Sequence, residues 1–143
     1  MKHDSLKLRI KKNEGFSIKP YKDQLGNHTI GYGHLIKKNE KKFFKKKFNK
    51  KFFENLFEKD FLKALDDYKN KFKQRQSSQA SEELIIEMIF QLGIKNVNKF
   101  KKMKKKLKSK QKYLVCLEMM DSLWYKQTPK RVENLIKNYL GAK

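Results

Sequence analysis

Residues 23–34, DQLGNHTIGYGH, differ in composition from the rest of the chain. Asp23 carries the one formal charge in this stretch, whereas 36% of all residues are charged. The stretch also contains three of the six glycines and the β-branched pair Thr29-Ile30. Glycines and β-branched residues favour turns and strands over helices, so this segment is predicted to form a hairpin.

The flanking residues extend the prediction to a small sheet over residues 16–36. FSIKPYKD at 16–23 alternates apolar and polar residues, and HTIGYGHLI at 28–36 is rich in strand formers, as expected for two strands. Leu25-Gly26-Asn27 between them is typical of a turn. Pro20 has no N–H to donate to a neighbouring strand, so the first strand is predicted to lie at the sheet edge.

A helix is predicted before the sheet. Asp4 or Ser5 is expected to cap it, and Gly15 suits the position just beyond its C-terminal end. Glu14 then lies in the last turn, where the negative end of the helix dipole disfavours a carboxylate. This placement indicates a role for Glu14 other than stability.

Beyond the sheet the apolar pattern becomes that of helices. Phenylalanines recur four residues apart over residues 41–68, which predicts one long amphipathic helix or two helices joined by a kink. The polar segment 73–81 is predicted to be a linker, with Ser81 capping a buried helix after it. Further helices are expected at residues 98–107, 112–124 and 129–140.

Together these elements predict an α+β fold, mainly helical, in a single domain over residues 1–143. A front lobe with the β-hairpin is expected at about 13–60. The helical lobe is expected to combine about 1–12 with about 78–143, and a linking helix is expected at about 52–76.

The chain is strongly basic. It has 37 Lys and Arg against 15 Asp and Glu, a formal net charge of +22. Such a charge attracts polyanions, so nucleic acid, anionic lipid and anionic cell-surface polymers are all candidate partners. Most of the cations are lysines, which are less suited than arginine to bidentate recognition, so the excess charge indicates non-specific attraction.

Several classes of site are disfavoured. Cys116 is the only cysteine, which excludes an intrachain disulfide, and its apolar neighbours predict a buried thiol. The three histidines lack the spacing of a metal site, and we expect neither a metal nor a cofactor. The N-terminal residues lack the apolar core of a signal peptide, and nowhere do 18 apolar residues occur in succession, so we expect a cytoplasmic protein until its release.

Three residues near the hairpin are candidates for glycosidic bond cleavage. That reaction needs an acid for the leaving oxygen and a second group on the other side of the anomeric carbon. Glu14 and Asp23 flank the first strand, and hairpin pairing is expected to bring Thr29 close to Asp23, where its hydroxyl could hold a water. Spacing alone favours the simpler interpretation, two surface carboxylates and a strand threonine.

Four segments along the chain are more informative than that spacing. They are LRIKKNEGFSIKPYKDQLGNHTIGYGH at 8–34, LFEKD at 56–60, FQLG at 90–93 and WYKQTPKR at 124–131. In the same order, they resemble segments of the T4-type phage lysozymes. The resemblance spans nearly the whole chain and implies a lysozyme-like fold. It also implies a muramidase that needs no cofactor and hydrolyses the β-1,4 bond between N-acetylmuramic acid and N-acetylglucosamine with inversion at the sugar C1.

The resemblance further implies roles for individual residues. Glu14 would be the general acid, Asp23 the carboxylate on the water side, and Thr29 the residue that holds the water. Leu35, Phe90 and Gln91 would line the substrate cleft. Arg131 would be a cation near Glu14, and His34 and Asp60 would form a buried ion pair. A cation near Glu14 would lower its pKa, whereas a general acid needs a raised pKa, so burial would have to supply the upward shift.

The resemblance implies a setting as well. It is that of a monomeric phage or prophage endolysin that lyses bacteria at the cell wall, with a bacterial or secretion-system muramidase as the open alternative. Release to the wall would need a phage holin, if the protein is phage-encoded, or another export route. No specific nucleic acid partner is expected.

Two alternatives remain open. A basic helical nucleic-acid-binding protein would explain the lysines but neither the hairpin nor the motifs. A lysozyme-fold protein that acts on bacterial surfaces or nucleic acid mainly by charge, with little catalysis, would explain both.

Overall fold

The structure is a computed structural model that describes residues 2–72 and 78–141. Its elements are, in chain order, α1 Asp4–Glu14, β1 Ser17–Lys22, β2 His28–Gly31, β3 His34–Leu35, α2 Lys42–Lys45, α3 Lys50–Lys71, α4 Gln79–Leu92, α5 Ile94–Val97, α6 Lys101–Lys108, α7 Lys112–Met120, α8 Leu123–Gln127 and α9 Pro129–Gly141. The described residues are mostly helical with a three-stranded antiparallel sheet, which confirms the predicted α+β class.

The chain divides into two compact units, Met1–Lys63 and Ala64–Lys143. The first unit contains α1, the sheet and most of α3, and the second contains the helices from α4 onward. The expected grouping of residues 1–12 with the helical lobe stays a prediction.

The first helix ends where the sequence predicted. The backbone of Gly15 has φ 73°, and its N–H donates to the Lys11 carbonyl at 2.9 Å. The expected cap at the other end was wrong, because His3 occupies the N-cap position. Asp4 lies instead in the first turn, where the helix dipole favours a negative charge.

The sheet has the strand order β1-β2-β3. β1 therefore lies at an edge, as Pro20 predicted. Tyr21 pairs with Thr29, Thr29 pairs with Leu35, and Ile30 pairs with His34.

Paired residues in an antiparallel sheet project to the same face. Tyr21, Thr29 and Leu35 thus share one face, and Ile30 and His34 share the other. Ile30 is 1% exposed and belongs to the core, so the face with Tyr21 is the one left for a site.

The helix predicted over residues 41–68 is interrupted. Lys46 adopts an extended conformation (φ −122°, ψ 150°) after α2, and α3 begins at Lys50. A single long helix, or a simple kink, was therefore the wrong prediction. The buried residue also differs from the prediction, which placed Phe44 on the apolar face. Phe43 is 2% exposed, whereas Phe44 is 52% exposed. Phe43 packs with Ile30 of the sheet, which the spacing of the phenylalanines could not indicate.

Helix α3 follows its predicted apolar pattern. Phe53, Phe57 and Phe61, four residues apart, are each at most 2% exposed. The helix starts slightly before the predicted position 52 and ends at Lys71. Residues 73–76 of the predicted linking helix lie outside the described residues.

Helix α4 begins with a different cap from the one expected. The hydroxyl of Ser78 accepts a hydrogen bond from the Ser81 N–H at 3.1 Å, so Ser78 is the N-cap of α4 and Ser81 lies inside the helix. Ser81 as the cap was wrong, and the predicted linker is helical from Gln79. Residues 73–77 of that linker lie outside the described residues.

The later helices are more divided than predicted. The helix expected at 98–107 begins at Lys101, after the one-turn α5. The helix expected at 112–124 ends at Met120, because the Ser122 hydroxyl accepts from the Tyr125 N–H and begins α8. The last helix starts at Pro129 as predicted.

Two further observations bear on the predictions from composition. Cys116 is free and 6% exposed, which confirms that its thiol is buried. Within residues 2–72 and 78–141, none of the helices has the length and apolar character needed to cross a membrane.

Candidate active site

The end of α1 positions Glu14. This residue is the last of the helix, and its side chain is half-buried. Two residues separate it from the start of β1. The carboxyl group is therefore held beside the sheet by the helix end on one side and the first strand on the other.

The carboxyl group of Glu14 lies directly against Gly33. A Cβ atom added to Gly33 would approach Oε2 of Glu14 most closely, and it would lie 2.7 Å from Cδ and 3.0 Å from Cγ. The backbone of Gly33 also has φ 76°, a conformation that other residues rarely adopt. The backbone conformation therefore favours glycine here, and an added Cβ would also displace the Glu14 carboxyl group.

Asp23 organises the loop between β1 and β2. Its Oδ1 accepts hydrogen bonds from the N–H groups of Leu25 at 2.9 Å and Asn27 at 2.8 Å. The Asp23 N–H donates to the Asn27 carbonyl at 2.9 Å, which continues the strand pairing. In the described part of the chain no donor reaches Oδ2 of Asp23, so this oxygen is available to a water or a substrate.

Thr29 lies in β2, next to the loop that Asp23 organises. It is 4% exposed and pairs with Tyr21, two residues before Asp23. The Thr29 hydroxyl donates to the Asn27 carbonyl at 3.0 Å. Because its proton is committed, the oxygen can only accept a further hydrogen bond.

Tyr21 is close to both carboxylates. Burial raises the pKa of its phenol, and the negative charges of Glu14 and Asp23 raise it further. From the sequence, Tyr21 was part of a motif and had no role of its own. The available signal was strand alternation, which places the residue two before Asp23 on the same face.

Leu35 extends this face with an apolar side chain. It pairs with Thr29 and is 53% exposed. An exposed leucine beside polar groups suits contact with the apolar face of a sugar ring, in line with its expected position in the cleft.

His34 lies on the opposite face of the sheet and binds two carboxylates. Its Nδ1 is 2.8 Å from Oδ2 of Asp60, and its Nε2 is 3.1 Å from Oε1 of Glu40. Burial disfavours the charged imidazolium, but the hydrogen bonds and negative charges of Asp60 and Glu40 outweigh it and raise the pKa of His34. Asp60 was expected here from the sequence, whereas Glu40, six residues along the chain from His34, was missed.

Gln91 lies in a polar cluster of the second unit. Its Oε1 accepts from the Trp124 Nε1–H at 3.1 Å, and its Nε2 lies 3.5 Å from the Thr128 hydroxyl oxygen. Trp124 and Thr128 belong to the WYKQTPKR motif, so the FQLG and WYKQTPKR motifs meet at this point. Phe90, the neighbour of Gln91 on α4, is half-buried.

Arg131 lies near a buried carboxylate in the second unit. Its Nε is 3.5 Å from Oε2 of Glu87, whose side chain is 2% exposed. Glu87 was not singled out from the sequence. A glutamate within the apolar run LIIEMIF was the signal, because a buried carboxylate requires a cation or hydrogen-bond donors. The expected closeness of Arg131 to Glu14 stays a prediction.

In chemical terms, the end of α1 and the hairpin supply a half-buried carboxyl group, a second carboxylate with a free oxygen, and a hydroxyl that can accept. These are Glu14, Asp23 and Thr29. Such a set can donate a proton to a leaving oxygen and orient a water for attack, the requirement for hydrolysis of a glycosidic bond.

The chain is similar to known proteins over most of its length. The profile of the phage lysozyme family matches residues 11–138. A curated protein of Dictyostelium discoideum, probable T4-type lysozyme 2, is 34% identical over 155 aligned positions, which cover 92% of this chain and 91% of that protein.

Proposed function

Because the chain belongs to the phage lysozyme family, we propose that it hydrolyses the β-1,4 bond between N-acetylmuramic acid and N-acetylglucosamine by an inverting general acid/base mechanism. Family membership makes the protein a lysozyme, a glycoside hydrolase whose substrate is peptidoglycan. The bond, the stereochemistry and the residue roles below are the proposal.

Glu14 is the proposed general acid. Its protonated carboxyl group donates to the glycosidic oxygen as the C1–O bond breaks, so that the leaving sugar departs as a neutral alcohol. The contact with Gly33 fixes the side chain, since the glycine leaves room for the carboxyl group and the backbone on either side is held by the sheet. A fixed carboxyl group needs less reordering in the transition state.

Asp23 and Thr29 are the proposed water-binding pair. A water between them donates one hydrogen to Oδ2 of Asp23 and the other to Oγ1 of Thr29, because each offers an acceptor there. Its lone pair is then directed away from both and toward the anomeric carbon. As the water attacks, Asp23 takes its proton, and the product forms with inverted configuration.

One observation supports this assignment most strongly. Glu14 contacts Gly33 of the hairpin, and Tyr21, the strand partner of Thr29, responds to the charges of both Glu14 and Asp23. Glu14 and Asp23 are thus both close enough to Tyr21 to raise the pKa of its phenol, and Thr29 is its strand partner.

Substrate contacts outside this group are proposed on the family resemblance. Leu35 is exposed beside Thr29 and would contact a sugar ring. Phe90 and Gln91 are proposed cleft residues, and the contact of Gln91 with Trp124 within the second unit would hold Gln91 for that role.

The biological setting is also proposed. The net charge of +22 would hold the enzyme on an anionic cell wall, and hydrolysis there would lyse the bacterium. We propose a monomer of phage or bacterial origin that stays in the cytoplasm until a holin or another membrane lesion releases it.

The decisive experiment compares wild type with Glu14→Gln on purified peptidoglycan, at low and moderate salt. Reducing sugars and muropeptides should appear with wild type and fall by about a hundredfold to ten-thousandfold in the variant, since the acid is removed and the size is kept. Glu58→Gln, a partly exposed carboxylate of α3, is the matched control and should keep its activity. The anomer formed first, followed by NMR, tests inversion.

The opposite outcome is equally clear. If neither wild type nor Glu14→Gln releases product while both proteins agglutinate or permeabilise bacteria at low salt, the alternative of charge-driven action with little catalysis replaces the proposal. A product that retains its configuration would leave the hydrolase in place and refute the inverting mechanism.

A further inference from the structure

The second unit contains a lysine-rich segment without any acidic residue. Residues 99–112 include nine lysines and no Asp or Glu. They form α6 and the turn that leads to α7. Lys101, Lys105 and Lys108 are exposed and lie four and three residues apart, so their ammonium groups share one side of α6.

These lysines are not neutralised by carboxylates. Among the described residues, no carboxylate oxygen lies within 4.0 Å of any of the nine. Lys104 donates to the Asn98 side chain at 2.9 Å and lies 4.5 Å from the Phe72 ring centre. Burial lowers the pKa of Lys104, and the charges of Lys101 and Lys108 lower it further. The segment thus repels itself, and a polyanionic surface would relieve that repulsion.

Helix α7, next to this segment, exposes apolar side chains. Tyr113 is 77% exposed, Leu117 58% and Met120 44%. These positions are spaced by four and three residues, so they form a stripe along one side of the helix. Leu123, at the start of α8, is 67% exposed and follows the stripe.

A different side of α7 is already part of the core. Val115, Cys116 and Met119 are each at most 6% exposed. The stripe is therefore not needed for folding of this unit. A helix that is apolar on both sides either is buried or contacts an apolar medium.

We propose that the α6–α7 face, formed by the exposed lysines of residues 99–112 and by Tyr113, Leu117, Met120 and Leu123, binds the surface of an anionic lipid bilayer. The lysines contact the headgroups, and the apolar stripe enters the boundary between headgroups and acyl chains. This binding is separate from hydrolysis and does not depend on Glu14, Asp23 or Thr29.

Two features favour a bilayer over other occupants. A second copy of the chain would bring two sets of nine lysines together, which like charges oppose. A polyanion in water, such as a teichoic-type polymer or a nucleic acid, would satisfy the lysines and leave the apolar stripe exposed. A bilayer with anionic headgroups accommodates both parts of the face.

The test measures co-sedimentation of the full chain with vesicles. Vesicles of phosphatidylcholine with about a third phosphatidylglycerol are compared with pure phosphatidylcholine, at low and physiological salt. Each lysine near an anionic surface contributes about fivefold to binding. Lys101→Gln, Lys105→Gln and Lys108→Gln together should therefore weaken binding on the order of 100-fold. Tyr113→Gln, Leu117→Gln and Met120→Gln together should weaken it by at least about tenfold.

Matched controls remove the same charge or the same apolar group elsewhere. Lys45, Lys46 and Lys47 are exposed in another lysine-rich segment, and their triple change to Gln should have a much smaller effect than the α6 variant. Leu62, 53% exposed on α3, is the control for the stripe as Leu62→Gln. All changed side chains of both test variants are exposed, and circular dichroism and thermal unfolding verify that each protein is folded.

Several results would overturn the proposal. One is absence of binding to anionic vesicles at low salt. Another is that the Tyr113/Leu117/Met120 variant binds vesicles as tightly as wild type. The attraction would then be purely ionic, and any polyanion could replace the bilayer. Equal losses in the Lys45/Lys46/Lys47 variant would mean that net charge, not this face, is responsible. A dimer found by light scattering in wild type and lost in the stripe variant would mean that the face pairs with itself.

Discussion

Replacing Gly33 with alanine should separate the stability of the hairpin from its activity. The new Cβ would lie 2.7 Å from Cδ and 3.0 Å from Cγ of Glu14, closer than van der Waals contact permits. The Glu14 carboxyl group is the end of a flexible side chain and can rotate away, so the overlap costs little folding free energy. The left-handed backbone at φ 76° adds strain of about 1–2 kcal/mol.

The expected outcome is thus a small loss of stability with a large loss of rate. About 1–2 kcal/mol lowers the Tm by roughly 3–8 °C for a chain of this size. Displacement of a catalytic group by about 1 Å can reduce the rate about a hundredfold. The variant should therefore lose on the order of 99% of kcat while most of the protein stays folded at the assay temperature.

Gly26→Ala is the matched control. Gly26 has φ 81°, close to that of Gly33, and nothing lies within 4 Å of an added Cβ. It should therefore show a similar loss of Tm with nearly unchanged kcat. Thermal unfolding and release of reducing sugars from peptidoglycan are measured on both variants. If the two lose the same fraction of activity, or if Gly33→Ala keeps wild-type kcat, the contact between Gly33 and Glu14 does not position the acid.

Three further outcomes are expected. Asp23→Asn should lose activity but keep the loop, since the amide oxygen can still accept hydrogen bonds from the two N–H groups. Asp23→Ala should lose activity and also about 1–3 kcal/mol of unfolding free energy, measured with urea. An active Asp23→Asn variant would contradict the proposed role of the Asp23 charge. The pKa of His34 is raised above 6.5 in the folded state, so the protonated histidine stabilises the fold fully below that pH, and this stabilisation is lost as pH rises through the folded pKa. In His34→Gln the unfolding free energy should therefore fall less steeply above pH 6.5 than in wild type. The same pH dependence in both proteins would refute this. The pKa of Tyr21, followed by NMR, should fall in Glu14→Gln, because the charge of Glu14 raises it, and should not fall in Glu58→Gln. The same Tyr21 pKa in both variants would place Glu14 away from Tyr21.

The sequence predicted the hairpin well because its determinants are local. The glycines and β-branched residues of 23–34 specify strands and turns within a few residues of one another, and the strand pairing of Tyr21 with Thr29 follows from the turn length. The C-terminal end of α1 was local too, since Gly15 is adjacent to Glu14. Local sequence was therefore enough to predict the strands, the turn and the end of this helix.

Features that depend on tertiary contacts were not predictable in the same way. Phe43 and Phe44 are neighbours with equal apolar character, and packing against Ile30 decides which one is buried. Glu40 reaches His34 across a turn that the sequence does not specify. The division between α7 and α8 depends on the hydroxyl of Ser122, one serine among many polar residues that could have capped a helix.

The charge distribution around α1 connects the unusual hairpin composition with catalysis. A general acid must keep its proton near neutral pH, and neighbouring cations oppose that. Lys11 lies three residues before Glu14 on the same helix, within reach of its carboxyl group by spacing. Its ammonium group instead binds Glu54 of α3 at 2.5 Å, and Glu54 also accepts a hydrogen bond from Tyr32. In a chain with a net charge of +22, the ion pair of Lys11 and the absence of lysines from residues 23–34 both lower the positive charge around the general acid proposed at Glu14.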